Sequence, residues 1–256
     1  MRIAIVTGAS SGMGREMVYR LADRFAGLHE IWVVARRLER LEEFKGRVPV
    51  RVRTFALDLR EPEALLVLKA ALEEKKPRVK LLVNAAGFGK TGAVGMIPRS
   101  EALGMVRLNN EALVSVTETV LPYIPENSRI IQFASAAAFL PQPGFAVYAA
   151  TKAFVLSYSR ALACELKAKN ISVTAVCPGP VDTEFFDIAL NGKKLTGYKR
   201  LVTVKPDRVV RCALQDALMG KELSIPSPAM KLFYVLCKFL PHAFLMNFIR
   251  WQEETD

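Results

Sequence analysis

The sequence predicts a doubly wound α/β fold, with a seven-stranded parallel sheet and helices on both faces. Three observations carry this. Short runs rich in Val and Ile recur along the chain and are apolar over nearly their whole length, as strands buried on both faces require. Longer segments of helical periodicity separate them, and such alternation winds by right-handed crossovers into one parallel sheet. The 256 residues, 51% of them hydrophobic, suffice for one substantial core.

Taken in order, the first strand is expected at 2–7, ahead of a glycine-rich turn and a helix near 13–26. Further strands are expected at 30–35, 50–56, 79–84, 128–134, 171–177 and 222–226, and helices near 38–45, 61–75, 99–122, 145–168 and 206–219. No Gly/Ser linker, Pro-rich stretch or internal repeat divides the chain, so residues 1–226 read as a single domain. Residues 227–256 read as an apolar helical extension packed on that domain or on a partner subunit. From Ala229 to Leu240 the extension is apolar nearly all round, with Lys231 and Lys238 seven apart, and Pro241 breaks it before Phe244 to Trp251. It is too short and too interrupted for a transmembrane helix. Covering a pocket or a subunit is the favoured use; amphipathic contact with a membrane surface, which the lysines and aromatics permit, is the less favoured one.

Composition excludes several classes. The formal charge is +11, but the basic residues are scattered in small clusters at Arg36, Arg37 and Arg40, at Arg47, Arg51 and Arg53, and at Lys193, Lys194, Lys199 and Arg200. No nucleic-acid module surrounds them, so an anionic cofactor or substrate, or simple solubility, accounts for them and no nucleic-acid partner is expected. Two histidines, His29 and His242, cannot build a metal cluster with four widely spaced cysteines, and no metal is expected. Those cysteines fit a reducing compartment, and the N-terminus runs straight into a strand without room for a signal sequence. A cytoplasmic location is expected.

After the first strand comes Thr7-Gly8-Ala9-Ser10-Ser11-Gly12-Met13-Gly14. Glycines there permit a tight turn and close backbone approach, so that a pyrophosphate can sit on the helix N-terminus. The alternative is a glycine-rich turn without a ligand. The second strand ends in Arg36-Arg37, where an NAD site would present an acidic residue to the ribose; guanidinium groups suit a 2′-phosphate, so NADP(H) is favoured. Asp58 and Leu59 are placed to reach an adenine edge, and Asn84-Ala85-Ala86-Gly87 follows the fourth strand.

Tyr148 and Lys152 stand four apart on a predicted helix, hence on one face. A cation that close favours the phenolate and pulls a tyrosine from about 10 toward neutrality, where it serves as general acid or base. By itself the spacing also fits a solvated surface pair. Ser135, thirteen residues upstream, adds a hydroxyl.

Together these residues resemble the short-chain dehydrogenase/reductase family, from Met1 to about Pro226. The resemblance implies a Rossmann fold and carries over the glycine motif as Gly8, Gly12 and Gly14, and the Asn-Asn-Ala-Gly motif as Asn84 to Gly87 with Ala85 replacing one Asn. It implies a catalytic set of Asn109, Ser135, Tyr148 and Lys152; Asn109 lies thirteen residues before Pro122, and Asn110 is adjacent. Cofactor contacts are implied for Gly8, Ser10, Ser11, Gly12, Met13, Gly14, Arg36, Arg37, Asp58, Leu59, Asn84, Ala85, Ala86, Gly87, Tyr148 and Lys152. Pro178, Gly179, Val181 and Thr183 resemble the segment that holds the nicotinamide carboxamide. Ser11 stands where some NADP-preferring members carry a basic residue, which leaves the 2′-phosphate mainly to Arg36, with Arg37 assisting.

The implied chemistry is carbonyl–alcohol interconversion. Tyr148 would exchange the proton, Ser135 would orient the oxygen, Lys152 would lower the tyrosine pKa and hold the ribose, and Asn109 would anchor a water. Ala137, Phe139, Phe145 and Phe185 are expected to wall a pocket for a bulky hydrophobic carbonyl or alcohol, a hydroxysteroid or an acyl-chain carbonyl, although each could equally be core or a dimer contact. The stretch Asp182 to Val204 reads as a mobile lid. A homodimer or homotetramer is expected. The competing reading is a catalytically silent dinucleotide sensor or scaffold of the same fold.

Overall fold

The computed structural model describes residues 1–190 and 202–247. In chain order the elements are β1 (Arg2–Thr7), α1 (Gly12–Arg24), β2 (Glu30–Ala35), α2 (Leu38–Glu42), β3 (Arg51–Ala56), α3 (Pro62–Lys75), β4 (Arg78–Asn84) and α4 (Arg99–Val106). Then follow α5 (Ala112–Val120), β5 (Arg129–Phe133), α6 (Ala146–Leu166), β6 (Ser172–Val176), α7 (Glu184–Ala189), α8 (Pro206–Leu218), β7 (Leu223–Ser224) and α9 (Pro228–Phe239).

Strand alternation explains the layers. In β1, Ala4 and Val6 enter one core while Ile3 and Ile5 enter the other, all fully buried. β2 repeats this with Ile31 and Val33 against Trp32 and Val34. Neighbouring side chains point to opposite faces, so a strand apolar at every position must be covered twice. Met17 and Leu21 of α1, with Val210 and Leu214 of α8, make one cover. Leu68 and Leu72 of α3, Val116 of α5 and Leu162 of α6 make the other.

The seven strands are parallel in the order β3-β2-β1-β4-β5-β6-β7. The winding reverses between β1 and β4, which opens a crevice beyond their carboxyl ends. Thr7 closes β1 beside Asn84 of β4, and its Oγ1 accepts hydrogen bonds from the Ala85 and Ala86 amides, both at 3.2 Å. One hydroxyl thus ties together the two loops that border the crevice.

The predicted and observed elements differ in two informative places. β7 is only Leu223–Ser224, because Pro226 has no N–H to extend the ladder. The long helix predicted at 99–122 is interrupted at Arg107–Glu111 by a π turn and ends in a 3-10 turn at Leu121–Tyr123. In the C-terminal extension, α9 lays Phe233 and Tyr234 on Phe139, with ring centroids 6.4 and 4.9 Å apart. Among the described residues no helix is long and apolar enough to cross a membrane. Residues 191–201, including Lys193, Lys194, Lys199 and Arg200 of the expected lid, and residues 248–256, including Trp251, lie outside the described residues.

Candidate active site

The glycine turn is shaped by what a side chain would strike. Gly8 has φ +69°, its amide donates to Val34 O at 2.9 Å, and a Cβ there would come within 2.6 Å of the Ala86 nitrogen. A Cβ on Gly14 would run into the Gly8 carbonyl oxygen. Gly12, at φ +53°, faces the Thr183 methyl, which a Cβ would approach to 3.3 Å. The result is a backbone cradle at the N-terminus of α1, with Ser11 at its N-cap position. Such a cradle fits a pyrophosphate, since unpaired amides and the helix dipole both favour an anion. Met13 packs partly buried on the core behind it.

Two arginines follow β2. Arg36 is exposed, whereas Arg37 donates to Ser10 Oγ from Nε and Nη2 at 3.3 and 3.2 Å. Arg37 also donates to Glu184 Oε2 at 2.9 Å, and Arg40 donates to Glu184 Oε1. Burial raises the Glu184 carboxyl, but the hydrogen bonds from Arg40 and Arg37 together outweigh it and hold the group below its ordinary range. Asp58 is gripped by Arg60, whose hydrogen bonds keep its carboxyl low, and Arg36 adds to that field. Leu59 is buried in the core under α3. Asn84 turns inward, its Nδ2 donating to Thr117 Oγ1 at 3.0 Å, and so braces β4 against α5.

The groups expected to react converge beyond β5. Ser135 ends that strand's loop in extended conformation, and its Oγ accepts from the Ala137 amide at 3.1 Å. The Ala136 amide donates to Pro178 O at 2.8 Å, joining this loop to the Pro178–Thr183 segment. On the first turns of α6, Tyr148 is 7% and Lys152 6% exposed, with Nζ 5.7 Å from the Tyr148 ring centroid. Lys152 does share the face of Tyr148, yet its ammonium donates to Phe133 O at 2.8 Å.

The expected lowering of the tyrosine is not found. Burial pushes the phenol up to about 12, with the Ser135 hydrogen bond acting weakly the other way. Burial likewise pushes Lys152 down to about 8. Both shifts have the same cause: charge is costly in this low-dielectric niche. Cys177, alongside, is held protonated by its own burial, up to about 12.

Asn109 lies in the π turn and is fully buried. Its Oδ1 accepts from the Phe88 amide at 3.0 Å, while Nδ2 donates to Phe88 O at 2.9 Å and to Thr151 Oγ1 at 3.0 Å. Thr151 Oγ1 in turn donates to Tyr148 O at 2.7 Å, and the Asn110 amide group reaches Thr151 O. Asn109 therefore couples the loop after β4 to the helix that carries Tyr148. Gly87 fits between these parts, since a Cβ there would lie 3.0 Å from Asn109 Oδ1 and 3.4 Å from Lys152 Nζ.

Phe145 stacks on Tyr148 at 4.3 Å and Phe185 tilts against it at 5.3 Å, while Ala137 belongs to the same cluster. Phe139 is placed elsewhere, in the cluster beneath α9 with Leu140, Val155 and Ile225. Of the segment expected to hold the carboxamide, Val181 is buried and bridged to Val204, and Thr183 caps α7 by accepting from the Phe185 amide at 3.4 Å. A Cβ on Gly179 would press Met230 of α9 at 2.8 Å. Sequence reasoning missed Thr151, Met230, Glu184 and Gly89, where a Cβ would stand 2.9 Å from the rings of Phe145, Tyr148 and Phe185. Only Glu184 offered a signal, an acid directly after Thr183 in a strongly basic chain.

Comparison with known proteins identifies the family of the chain. The model of the short chain dehydrogenase family matches residues 2–192. Sulfoacetaldehyde reductase 2 of Chromohalobacter salexigens is 37% identical over 232 residues, covering 87% of this chain and 91% of that protein. The NADP-dependent 3-hydroxy acid dehydrogenase YdfG of Escherichia coli (strain K12) is 34% identical over 218 residues, covering 81% and 85%. Among solved structures, a short-chain dehydrogenase from Sphingobium yanoikuyae in complex with NADPH superposes with a TM-score of 0.79 at 26% identity, over 100% of this chain and 96% of that one. A match that spans the glycine cradle, both crevice loops and the Tyr148 helix establishes that this chain belongs to the short-chain dehydrogenase/reductase family of dinucleotide-dependent oxidoreductases.

Proposed function

We propose that the chain uses NADP(H) to interconvert a ketone or aldehyde with its alcohol, with Tyr148 as the proton donor and acceptor. The observation that carries this reading is the buried convergence of Tyr148, Ser135 and Lys152 beyond β5. The glycine cradle would hold the pyrophosphate, Arg36, Arg37 and Ser10 the 2′-phosphate, and Val181 and Thr183 the carboxamide. Once bound there, the cofactor supplies or accepts hydride.

A phenol at about 12 keeps its proton until negative charge develops on a nearby oxygen, which is what a donor to a reacting carbonyl must do. Ser135, hydrogen-bonded to that phenol, holds the same oxygen in line. Lys152, at about 8, still carries most of its charge at neutral pH and would steady the ribose and the phenolate left when Tyr148 gives up its proton. Asn109 acts by holding Phe88 and Thr151 in place. Arg36 and Arg37 support NADP(H), as do the NADP dependence of the Escherichia coli relative and the NADPH bound to the Sphingobium protein.

For the substrate, Phe145, Phe185 and Ala137 around Tyr148 support a carbonyl with an apolar body. Hydroxysteroids and acyl-chain carbonyls are the large members of that class. The names of the relatives favour a second reading, a short aldehyde or hydroxy acid bearing an anionic group. Exposed Leu103, Val106 and Phe154, with Phe154 stacked on Tyr158, support homodimer or homotetramer contacts along α4 and α6. Four free cysteines support the cytoplasm as the place of action.

Turnover of apolar ketones, sulfoacetaldehyde and 3-hydroxy acids, each with the NADP and NAD couples, tests these readings. Tyr148→Phe should abolish turnover and leave NADPH binding nearly intact. Wild-type-like turnover in that variant would remove the assignment. Cofactor binding without turnover of any substrate would favour the silent sensor.

A further inference from the structure

One face of α9 has no cover among the described residues. Leu232, Val235, Leu236, Phe239 and Leu240, joined by Phe244 beyond Pro241, are 61, 46, 39, 76, 37 and 63% exposed. Steps of three and four residues put the four helix positions, Leu232, Val235, Leu236 and Phe239, on one stripe, with Leu240 just past the helix end. The inner stripe is already occupied, with Met230, Phe233, Tyr234 and Cys237 packed in the cluster that contains Phe139. Lys231 and Lys238 are both exposed, and seven residues apart they lie on one flank of the outer stripe. From Ser224 to Asn247 the sequence contains no Asp or Glu.

We propose that this face rests on an anionic lipid bilayer, with α9 lying in the plane of the interface. Its outer stripe would enter the acyl boundary while Lys231 and Lys238 reach the headgroup phosphates. Charge decides between a bilayer and a second copy of the chain. A twofold contact would set the face against itself and bring the lysines of both copies together, with no carboxylate in residues 224–247 to answer them. An anionic surface answers both, and the net charge of +11 adds long-range attraction. At twelve residues followed by Pro241, α9 is too short to cross, so the contact is peripheral.

Flotation of the full chain with phosphatidylcholine vesicles, with and without phosphatidylglycerol, tests this without any need for turnover. Binding is expected on the anionic vesicles only, weakened about fivefold by each of Lys231→Gln and Lys238→Gln. Leu232→Ser with Phe239→Ser should abolish it at an unchanged melting temperature. Equal binding to both vesicle types, or to neither, overturns the proposal; in the second case residues 248–256 become the cover to consider. A concentration-dependent rise in mass that these two serine substitutions abolish also overturns it, and identifies a second copy as the occupant. If the double variant misfolds, the lysine variants and the lipid titration of the wild type still decide.

Discussion

Glu184 accepts hydrogen bonds from two arginines at once, Arg37 at 2.9 Å and Arg40, across the mouth of the expected 2′-phosphate site. A phosphate arriving at Arg37 must share the guanidinium with that carboxylate or displace it. Glu184→Gln is therefore expected to tighten NADPH by about two- to fivefold, the reach of a half-exposed ion pair, and to leave NADH unchanged. Fluorescence titration of both cofactors reads this directly. Weaker NADPH binding would mean that Glu184 positions the arginines rather than competing for them.

Arg37→Ala removes the guanidinium that bridges Ser10 and Glu184. A charge-assisted contact to phosphate should cost about 10- to 100-fold in kcat/KM with NADPH and less than about twofold with NADH. Equal losses with both cofactors would place the defect in folding.

Ser135→Ala takes away the hydrogen bond to the phenol and the acceptor for the Ala137 amide. Turnover is expected to fall by about 10²–10³, the usual cost of one donor at a reacting oxygen, with cofactor affinity retained. Single-turnover kinetics with preformed cofactor complex separate the two.

Lys152 has a pH signature in stability. Its folded value of about 8 lies below the ordinary 10.5, so the unfolded chain binds a proton that the folded chain sheds between those limits. The stabilising contribution is present above about 10.5 and is lost as the pH falls through about 8. The shift amounts to about 3 kcal/mol. Between pH 7 and 11, the unfolding free energy of wild type should gain about that much on Lys152→Met in urea titrations. A gap that stays constant with pH would show that the ammonium is solvated.

Gly179 and Met230 should be energetically coupled, since a Cβ at 179 would stand 2.8 Å from the Met230 Cγ and Sδ. Gly179→Ala alone is expected to cost about 1–2 kcal/mol by overpacking. In the Met230→Ala background it should cost less than about 0.5 kcal/mol, because the obstacle is gone.

The fold was legible because its signals are local. Apolar runs such as Ile3–Val6 and Ile31–Val34 are bounded by glycine or charge and need no knowledge of their partners. The Tyr148–Lys152 face was legible for the same reason, as a helical spacing. What the phenol does at that place was not, because its pKa follows burial under Phe145 and Phe185, and Phe185 arrives from 37 positions further along the chain. Phe139 reads as a pocket wall in a run of alanines, yet α9 claims it from almost a hundred residues away. The Glu184–Arg37 pair spans 147 positions and leaves no periodic trace.

The π turn at Arg107–Glu111 holds one residue more than a regular helical turn would. Deleting one residue there would yield a more regular helix and would swing Asn109 about 100° around the axis, away from Phe88 and Thr151. The straighter helix would thus break the three hydrogen bonds by which buried Asn109 clamps the loop to the tyrosine helix. The length of this irregular turn is therefore set by partners it reaches across the fold, and libraries that idealise helices should leave it untouched.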